Sequence, residues 1–334
     1  MKNFLEIFEN QTRLGTKIPS PKYLKTGKYP IVDQSKKLIC GYSNDSSGLY
    51  SDTPFIIFGD VSRTIKYIDF PCYLGADGSV ILKVINDQYI TKFLYYYLLN
   101  QSIPNTGYNR HYKFLKDLKF KEFSLDEQKN AVTIFDTLNA LIKKSNEEIV
   151  YFDELIKSRF NEMFSNFPAT KAFEYCISDN TKYGHKFDSK FYAEDGEIAI
   201  VDQGNELICG YIDRQDNKEP WSEECIVFGD HTEYFKYIDF PIYLGADGTK
   251  LLSSSSKYDC RFVYYYLLIN YRKVGGYARH FKYLKEMLFP EPPFSKQKEF
   301  VSFVEKVDKL KFNVQKRIEY YQELLNKKMD EYFN

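Results

Sequence analysis

Several features that define common protein classes are missing from this sequence of 334 residues. Its 46 lysines and arginines equal its 46 aspartates and glutamates, so the net charge is zero and only local basic patches can attract nucleic acid. No apolar run approaches the ~18 residues of a membrane span, and the N-terminus has no apolar signal region. None of the six cysteines belongs to a Cys-x-x-Cys pair, and a chain this long needs no disulfide. These absences favour a cytoplasmic protein without a membrane partner.

Motifs for catalysis are also missing. The sequence has no Gly-x-x-x-x-Gly-Lys-Ser/Thr phosphate loop, no Gly-x-Gly-x-x-Gly after a strand and no His-Glu-x-x-His. Its four histidines do not have the spacing of metal ligands. The sequence therefore predicts no catalytic residues, no cofactor and no bound metal. One alternative stays open, because Asp60 and Asp77 recur as Asp230 and Asp247 and could hold a divalent cation in a nuclease.

The most prominent feature that is present is an internal repeat. Residues 58–78 and 228–248 contain the strings Phe-Gly-Asp, Lys-Tyr-Ile-Asp-Phe-Pro and Tyr-Leu-Gly-Ala-Asp-Gly in the same order. Short β-type runs precede each copy, and tyrosine-rich stretches at 93–99 and 262–268 predict a short helix after it. Since domains usually have ~100–200 residues, the chain is predicted to contain two copies of one globular α+β unit.

A long helix is predicted at the end of each copy. Neither stretch contains Pro or Gly, and Ser124 is a candidate N-cap for the first helix, which is predicted to end near Phe164. Residues in alternating steps of four and three form a heptad seam on each helix. The first seam consists of Ala131, Phe135, Leu138, Ile142, Ser145, Ile149, Phe152, Ile156, Arg159 and Met163. The second consists of Phe300, Val304, Val307, Lys311, Val314, Ile318, Tyr321, Leu325, Lys328 and Tyr332.

These helices cannot be stable as isolated rods. A lone helix of roughly 55 Å would leave its apolar seam in water. The simplest closed arrangement is an antiparallel coiled-coil pair that joins the two repeated units about a pseudo-twofold axis. The predicted fold class is therefore α+β, with two globular α/β domains joined by two long antiparallel coiled-coil helices.

Basic and aromatic residues are interleaved after the tyrosine-rich helix of each copy. Arginine and lysine beside aromatic side chains suit phosphate clamps and contacts to base edges, although a solvated basic stripe has the same composition. Two loops that differ between the copies add further candidates, although ordinary drift after duplication also explains them. The predicted DNA-contacting residues are Arg63, Lys66, Tyr108, Asn109, Arg110, His111, Lys113, His231, Thr232, Lys236, Tyr277, Arg279, His280 and Lys282.

Together these strings resemble the target-recognition domains of type I restriction-modification specificity subunits. The resemblance is carried by Ile-Phe-Gly-Asp, Lys-Tyr-Ile-Asp-Phe and Gly-Ala-Asp-Gly, by the Arg-His-Tyr/Phe-Lys segment, and by the Gln-Lys pairs at 128–129 and 297–298. It covers the whole chain. In chain order it implies recognition domain 1–125, spacer helix 126–165, recognition domain 166–294 and spacer helix 295–334.

The resemblance implies a protein that binds double-stranded DNA and has no catalytic activity of its own. Each recognition domain reads one half of a bipartite site, and the site is expected to be asymmetric because the variable loops differ. Such subunits hold two methyltransferase subunits and, through them, restriction and translocase subunits. Besides the nuclease, a structural adaptor that binds protein but no DNA is the other alternative to this interpretation.

Overall fold

The computed structural model describes residues 1–75, 77–245, 247–276 and 278–333. The chain divides into two compact units. Unit 1 consists of Met1–Asn146 and Gln315–Asn334, and unit 2 consists of Glu147–Val314. Each unit combines small β-sheets with helices, which confirms the predicted combination of the two kinds of element. Along the described residues, no helix has both the length and the apolarity needed to cross a membrane.

Unit 1 is built from short strands and helices. Its strands are β1 (Lys2–Asn3), β2 (Phe8–Asn10), β3 (Tyr29–Val32), β4 (Gly41–Ser43), β5 (Phe55–Gly59), β6 (Ile65–Ile68), β7 (Tyr73–Leu74), β8 (Ser79–Val84) and β9 (Lys119–Phe120). Its short helices are α1 (Phe4–Ile7), α2 (Thr91–Asn100) and α3 (Tyr112–Leu115). Strands β2, β8, β5 and β6 form an antiparallel sheet in that order, β4, β3 and β7 form a second sheet, and β1 pairs with β9.

The position of β5 inside its sheet explains why its residues are so apolar. All of its residues are buried, with Phe55 opposite Ile68 of β6 and Phe58 opposite Val80 of β8. A continuous apolar run of this length is typical of a strand that is covered on both faces. Immediately after β5, the backbone N–H of Asp60 donates to the oxygen of Gly78 at 2.6 Å. This bond holds the end of β5 beside the turn that leads into β8.

Unit 2 repeats the topology of unit 1. After the first long helix, its strands are β10 (Ile177–Asp179), β11 (Ile198–Val201), β12 (Gly210–Ile212), β13 (Cys225–Gly229), β14 (Phe235–Ile238), β15 (Ile242–Leu244) and β16 (Thr249–Ser254). The sheets have the orders β10-β16-β13-β14 and β12-β11-β15, which match β2-β8-β5-β6 and β4-β3-β7. The repeat in the sequence is therefore also a repeat in the fold.

The tyrosine-rich stretches form helices, as predicted. The first long helix is α4 (Leu125–Phe164), and the short helices of unit 2 that follow it are α5 (Phe173–Cys176), α6 (Cys260–Asn270) and α7 (Phe281–Lys285). Each tyrosine-rich helix buries aromatic rings and gives the buried hydroxyl a partner. The hydroxyl of Tyr97 in α2 donates to the oxygen of Lys119 at 2.9 Å, and that of Tyr266 in α6 donates to the oxygen of Leu288 at 2.6 Å. At these two positions the ring is therefore buried without the free-energy cost of an unpaired hydroxyl.

The long helices are α4 (Leu125–Phe164) and α8 (Phe294–Phe333), each 40 residues, or about 60 Å, in length. The hydroxyl of Ser124 accepts from the N–H of Glu127 at 3.3 Å, and the carboxylate of Glu127 accepts from the N–H of Ser124 at 2.7 Å. This capping box confirms Ser124 as the N-cap. Both helices begin one residue before the position that the sequence predicted.

The predicted seam of each helix is buried or half-buried. In unit 1, the ring of Phe135 on α4 packs against that of Tyr332 on α8, with the centroids 5.7 Å apart. Further along, Nε of Arg317 lies 3.3 Å from Oγ of Ser145. Residues with higher numbers on α4 therefore contact residues with lower numbers on α8, so these two helix segments run antiparallel within unit 1.

The same relationship holds for the helix segments of unit 2. The rings of Phe160 on α4 and Phe300 on α8 lie 5.3 Å apart between centroids. Nζ of Lys311 lies 2.5 Å from Oδ1 of Asp153. The lysine in the second seam is thus paired with a carboxylate on the opposite helix, which explains how a charged residue occupies a position that the heptad pattern reserves for apolar side chains.

Candidate nucleic-acid interface

Asp60 organises the basic segment of unit 1. It follows β5 directly and is only 3% exposed. Its Oδ1 atom accepts a hydrogen bond of 2.7 Å from the backbone N–H of Tyr112, and its Oδ2 atom lies 3.3 Å from Nη1 of Arg110. Its backbone oxygen accepts from the N–H of His111 at 2.7 Å. One residue at the end of the central strand therefore fixes three consecutive residues of the basic segment.

Asp230 has the same role in unit 2. Its Oδ1 atom accepts from the backbone N–H of Phe281 at 2.7 Å, and its backbone oxygen accepts from the N–H of His280 at 2.7 Å. These are the same two backbone contacts that Asp60 makes. The repeated aspartate is thus a structural anchor for the two residues that follow each arginine, and in unit 1 it also contacts Arg110 itself.

The two repeated histidines are interior residues. Neither His111 nor His280 is exposed. Nδ1 of His111 donates to the oxygen of Asp60 at 3.0 Å, and its Nε2 accepts from the N–H of Thr106 at 3.2 Å. Nε2 of His280 donates to the oxygen of Gly276 at 3.2 Å. These contacts give both histidines a structural role in the loop, and the proposed interface does not include them.

Lys66 and Lys236 are also interior residues, with exposures of 7% and 5%. Nζ of Lys66 donates to the oxygen of Asp33 at 2.7 Å, and Nζ of Lys236 donates to the oxygen of Asp202 at 2.8 Å. Burial lowers the pKa of both ammonium groups. A phosphate cannot reach either group without local opening, so the proposed interface does not include these lysines.

The other predicted residues of unit 1 reach the surface. Tyr108 is 93% exposed, and the side chain of Arg110 is 77% exposed despite its contact with the buried aspartate. Asn109 and Lys113 are exposed, and Arg63 is half-buried. An aromatic ring, an amide and two cations are therefore available side by side for contacts to a nucleic acid.

Unit 2 offers a similar but not identical set. Arg279 and Lys282 are exposed, and His231 and Thr232 are half-buried. Tyr277, which was predicted to contact DNA, lies outside the described residues. The exposed arginine and the exposed lysine three residues after it are thus the features that both units share.

A polar cavity of about 510 Å³ opens beside Arg110 in unit 1. Arg13 and Lys17 line it from one segment of the chain and Arg110 from another, and Ser79 contributes a buried hydroxyl that has no partner among the described residues. Asp60 also lines the cavity, with its carboxylate engaged by the basic segment. Such a group of cations and donors is suited to phosphate oxygens.

Sequence reasoning missed Arg13 and Lys17, although the repeat contains a signal for them. The pattern Thr-Arg/Lys-x-Gly-x-Lys occurs at 12–17 and again at 181–186, so unit 2 has lysines at both equivalent positions. Unit 2 also has Lys250, whose Nζ lies 4.9 Å from the ring centroid of Phe281, next to the buried aspartate. The positive charge is thus repeated between the units with partly different residues.

The two carboxylates of the nuclease alternative lie in different environments. The carboxylate of Asp60 is buried and engaged by the basic segment, whereas the side chain of Asp77 is 95% exposed on a turn. These environments favour structural and surface roles over a shared cation. In the part of the chain that the structure describes, no group of three His, Cys, Asp or Glu residues is placed to hold a metal ion.

Comparison with known sequences gives one curated relative. No protein-family model matches the sequence. Over 84 residues, or 24% of this chain, it is 29% identical to the type I restriction enzyme EcoR124I/EcoR124II specificity subunit of Escherichia coli. The match covers 21% of the length of that relative.

Comparison with solved structures extends the resemblance along the chain. The S subunit of the type I restriction-modification system from M. genitalium has a TM-score of 0.55 at 17% identity, with 98% of this chain and 95% of that chain covered. The HsdS subunit from Thermoanaerobacter tengcongensis gives 0.37 at 12% identity, covering 99% and 95%. A chain from a structure of the type I R-M system gives 0.46 at 15% identity, covering 100% and 97%. Only the first score bears on the architecture, and at this identity it shows a similar fold. The resemblance predicted from the repeated strings is therefore confirmed.

Proposed function

We propose that this chain is the DNA sequence-specificity subunit of a type I restriction-modification complex. It binds a bipartite, asymmetric DNA site through one surface in each unit, and it contributes no catalytic residues. The proposal is supported by the sequence match to a specificity subunit and by the similarity in fold to an S subunit. The residues of this chain support DNA as the ligand.

One observation carries the proposal: in unit 1, cations from two segments of the chain surround an anchored arginine, and unit 2 has cations at the equivalent positions of its sequence. In unit 1 these cations converge on a single cavity. They are Arg13, Lys17 and Arg110 in unit 1, and Lys182, Lys186 and Arg279 at the equivalent positions of unit 2. Because the net charge of the chain is zero, these concentrations of positive charge are local. Neutralising phosphates releases counterions, which provides the part of the affinity that does not depend on sequence.

The unlike side chains on this shared frame support an asymmetric target. Asn109 is exposed in unit 1, and the equivalent residue in unit 2 is Ala278. An asparagine can make two hydrogen bonds to the edge of an adenine, whereas an alanine offers only a methyl group. Two units that present different groups at equivalent places read different half-sites.

The proposed architecture follows the family resemblance. Recognition domains at 1–125 and 166–294 are joined by spacer helices at 126–165 and 295–334, which form an antiparallel coiled coil about a pseudo-twofold axis. A rod of about 60 Å corresponds to at most about 18 base pairs at 3.4 Å each. The helices therefore set a gap of one to one and a half turns between half-sites.

The proposed partners also follow from the resemblance. Two methyltransferase subunits bind the chain, and restriction and translocase subunits join through them. In such a complex this chain supplies the choice of sequence and the other subunits supply the chemistry.

Single-molecule methylation sequencing tests the proposal directly. A host that carries this chain with a methyltransferase encoded beside it is expected to show a split adenine motif with unequal halves. A host with the same methyltransferase but without this chain provides the control and is expected to lose the motif. An unchanged motif in the control would contradict a role in sequence choice.

Two simple assays separate the alternatives. The purified chain with plasmid and magnesium is expected to leave the DNA intact, and strand breaks would favour the nuclease. A gel-shift assay with random and genomic fragments is expected to show binding, and its absence at low salt would favour an adaptor.

A further inference from the structure

The turn after the central strand holds one residue in a left-handed conformation in each unit. Arg63 has a φ of 61° and Glu233 a φ of 57°. Their N–H groups donate to the oxygens of Gly59 and Gly229 at 2.7 and 2.8 Å. Residues other than glycine rarely adopt this conformation, so their surroundings must maintain it. The backbone is the same in both units, yet the two side chains carry opposite charges.

In unit 2, the carboxylate of Glu233 collects hydrogen bonds from the loop that leads to the exposed arginine. Its Oε2 atom accepts from the hydroxyl of Tyr271 at 2.7 Å and from the N–H of Val274 at 2.8 Å, and its Oε1 atom accepts from the N–H of Gly275 at 2.8 Å. Glu233 is only 3% exposed. Burial raises the pKa of this carboxyl, but the hydrogen bonds outweigh burial and hold the pKa below its ordinary value. An ionised carboxylate is thus the centre around which the loop is folded.

Further contacts hold the rest of this loop, which we call the unit-2 arginine loop (271–276 and 278–279). Nδ1 of His231, in the same turn as the glutamate, donates to the oxygen of Ala278 at 3.0 Å. Gly275 and Gly276 have φ values of 72° and 82°, a conformation that glycine adopts at little cost. The turn therefore contacts the loop on both sides of its two glycines.

In unit 1, the side chain of the left-handed residue donates a hydrogen bond to the equivalent loop, whereas in unit 2 it accepts hydrogen bonds. Nη1 of Arg63 donates to the oxygen of Ile103 at 3.2 Å. Val61 stands at the position of His231, and its side chain has no donor. Residues 102–110, the unit-1 arginine loop, therefore present a carbonyl oxygen to Arg63, whereas the unit-2 arginine loop presents N–H and hydroxyl groups to Glu233. The contacts also fall at different positions of the two loops, because Ile103 corresponds to Arg272, whereas Glu233 contacts Tyr271, Val274 and Gly275.

We propose that Arg63 and Glu233 are positioning residues that set how each arginine loop is presented to DNA, and so determine the base preference of one half-site each. This inference rests on the proposed function. It extends that function to Glu233, a buried residue that does not touch DNA. The shared strand, turn and buried aspartate supply a constant frame, and the residue at this one position selects the loop conformation.

Methylation sequencing of a host that carries the full chain with its methyltransferase tests this role. Arg279→Ala first identifies the half-site that unit 2 reads. Glu233→Gln, which keeps the shape but replaces one acceptor oxygen with a donor, is then expected to relax base discrimination in that half by roughly tenfold, since a bidentate base contact provides about this much. The other half-site is expected to stay unchanged. Arg63→Met is the matched variant, and it is expected to relax the half-site that Arg110→Ala identifies.

Tyr271→Phe is a milder second variant, which removes one hydroxyl from the carboxylate and keeps the ring. It decides the test if Glu233→Gln does not accumulate as folded protein. A wild-type chain that gives no split motif overturns both the proposed function and this inference. A split motif that both unit-2 variants leave intact overturns the positioning role alone. An equal loss in both halves with a lower melting temperature identifies a residue that only stabilises the fold, which also overturns it.

Discussion

The Oε1 atom of Gln297 accepts a hydrogen bond of 2.9 Å from the backbone N–H of Asp259. The Nε2 group of the same side chain donates to the oxygens of Lys257 and Pro292 at 3.1 and 2.9 Å. Gln297 is fully buried and lies in the first turn of α8, so it fastens the start of that helix to the residues before α6. Gln128 makes the matching set of contacts at the start of α4.

Gln297→Leu is expected to destabilise the chain by about 3 kcal/mol or more. The leucine fills a similar volume but leaves three backbone groups without partners, and each buried unpaired group costs about 1–3 kcal/mol. Urea denaturation of the full chain, followed by circular dichroism, measures the change. Ser302→Ala, at an exposed position of the same helix, is the control and is expected to change stability by less than about 0.5 kcal/mol. Equal midpoints for the two variants would show that water replaces the lost bonds.

Asp60→Ala is expected to destabilise unit 1 by about 2 kcal/mol, because the N–H of Tyr112 and the guanidinium of Arg110 lose a buried acceptor. Asp60→Asn keeps one acceptor oxygen and is expected to cost less. Hydrogen exchange at the amide of Tyr112 reports the loss locally. Asp77→Ala, at a 95% exposed side chain, is the control. If Asp77→Ala changed that exchange as much as Asp60→Ala, the anchor assigned to Asp60 would be wrong.

Arg110→Ala and Arg279→Ala are each expected to weaken DNA binding and to flatten its salt dependence. Removing one phosphate contact lowers the slope of log K against log salt by about 1. Titrations of the full chain with duplex DNA over a range of salt concentrations measure that slope. Lys157→Ala removes an exposed cation from α4 and is expected to leave the slope unchanged. A slope that falls equally in all three variants would mean that binding is spread over the whole surface.

Much of the fold could be predicted because its signals are local or periodic. The heptad seams fixed the faces of α4 and α8, and the serine before α4 identified its start within one residue. The exact repeat predicted two copies of one unit. Sheet order could not be predicted, because the parallel pairing of β3 with β7 joins residues about 40 positions apart and no local pattern encodes it.

The candidate site was predicted in part, for a physical reason that Lys66 and Lys113 illustrate. Both are lysines near aromatic residues, yet Lys66 is buried against carbonyl oxygens and Lys113 is exposed. A long aliphatic stem allows either environment, so composition alone cannot distinguish them. Arg13 was missed because it lies about 100 residues from Arg110, and only the folded chain places both at one cavity.

Stability is expected to fall as the pH rises above about 8.5, the pKa of a thiol in an unfolded chain. Burial raises the pKa of Cys72 to about 12 and that of Cys260 to about 12. Between about pH 8.5 and about pH 12, the folded chain keeps thiol protons that the unfolded chain has released. The contribution of each thiol is therefore complete below pH 8.5 and is lost as the pH rises, with a slope of about 1.4 kcal/mol per pH unit for each. Buried tyrosines such as Tyr50, whose pKa rises to about 12, add to the loss above about pH 10.

The buried lysines act in the opposite direction over part of this range. The pKa of Lys66 and that of Lys236 are lowered by burial, so the folded chain loses these protons first and stability rises until the unfolded lysines titrate near pH 10.4. The thiol contribution can be isolated with Cys72→Ala, which is expected to flatten the alkaline slope by about 1.4 kcal/mol per pH unit. Val32→Ala in the same core cluster also opens a cavity but removes no titrating group, so it is expected to lower stability equally at every pH. Since the cavity shifts the whole curve and the thiol changes its slope, parallel curves for Cys72→Ala and Val32→Ala would show that Cys72 ionises at its ordinary pKa in the folded chain.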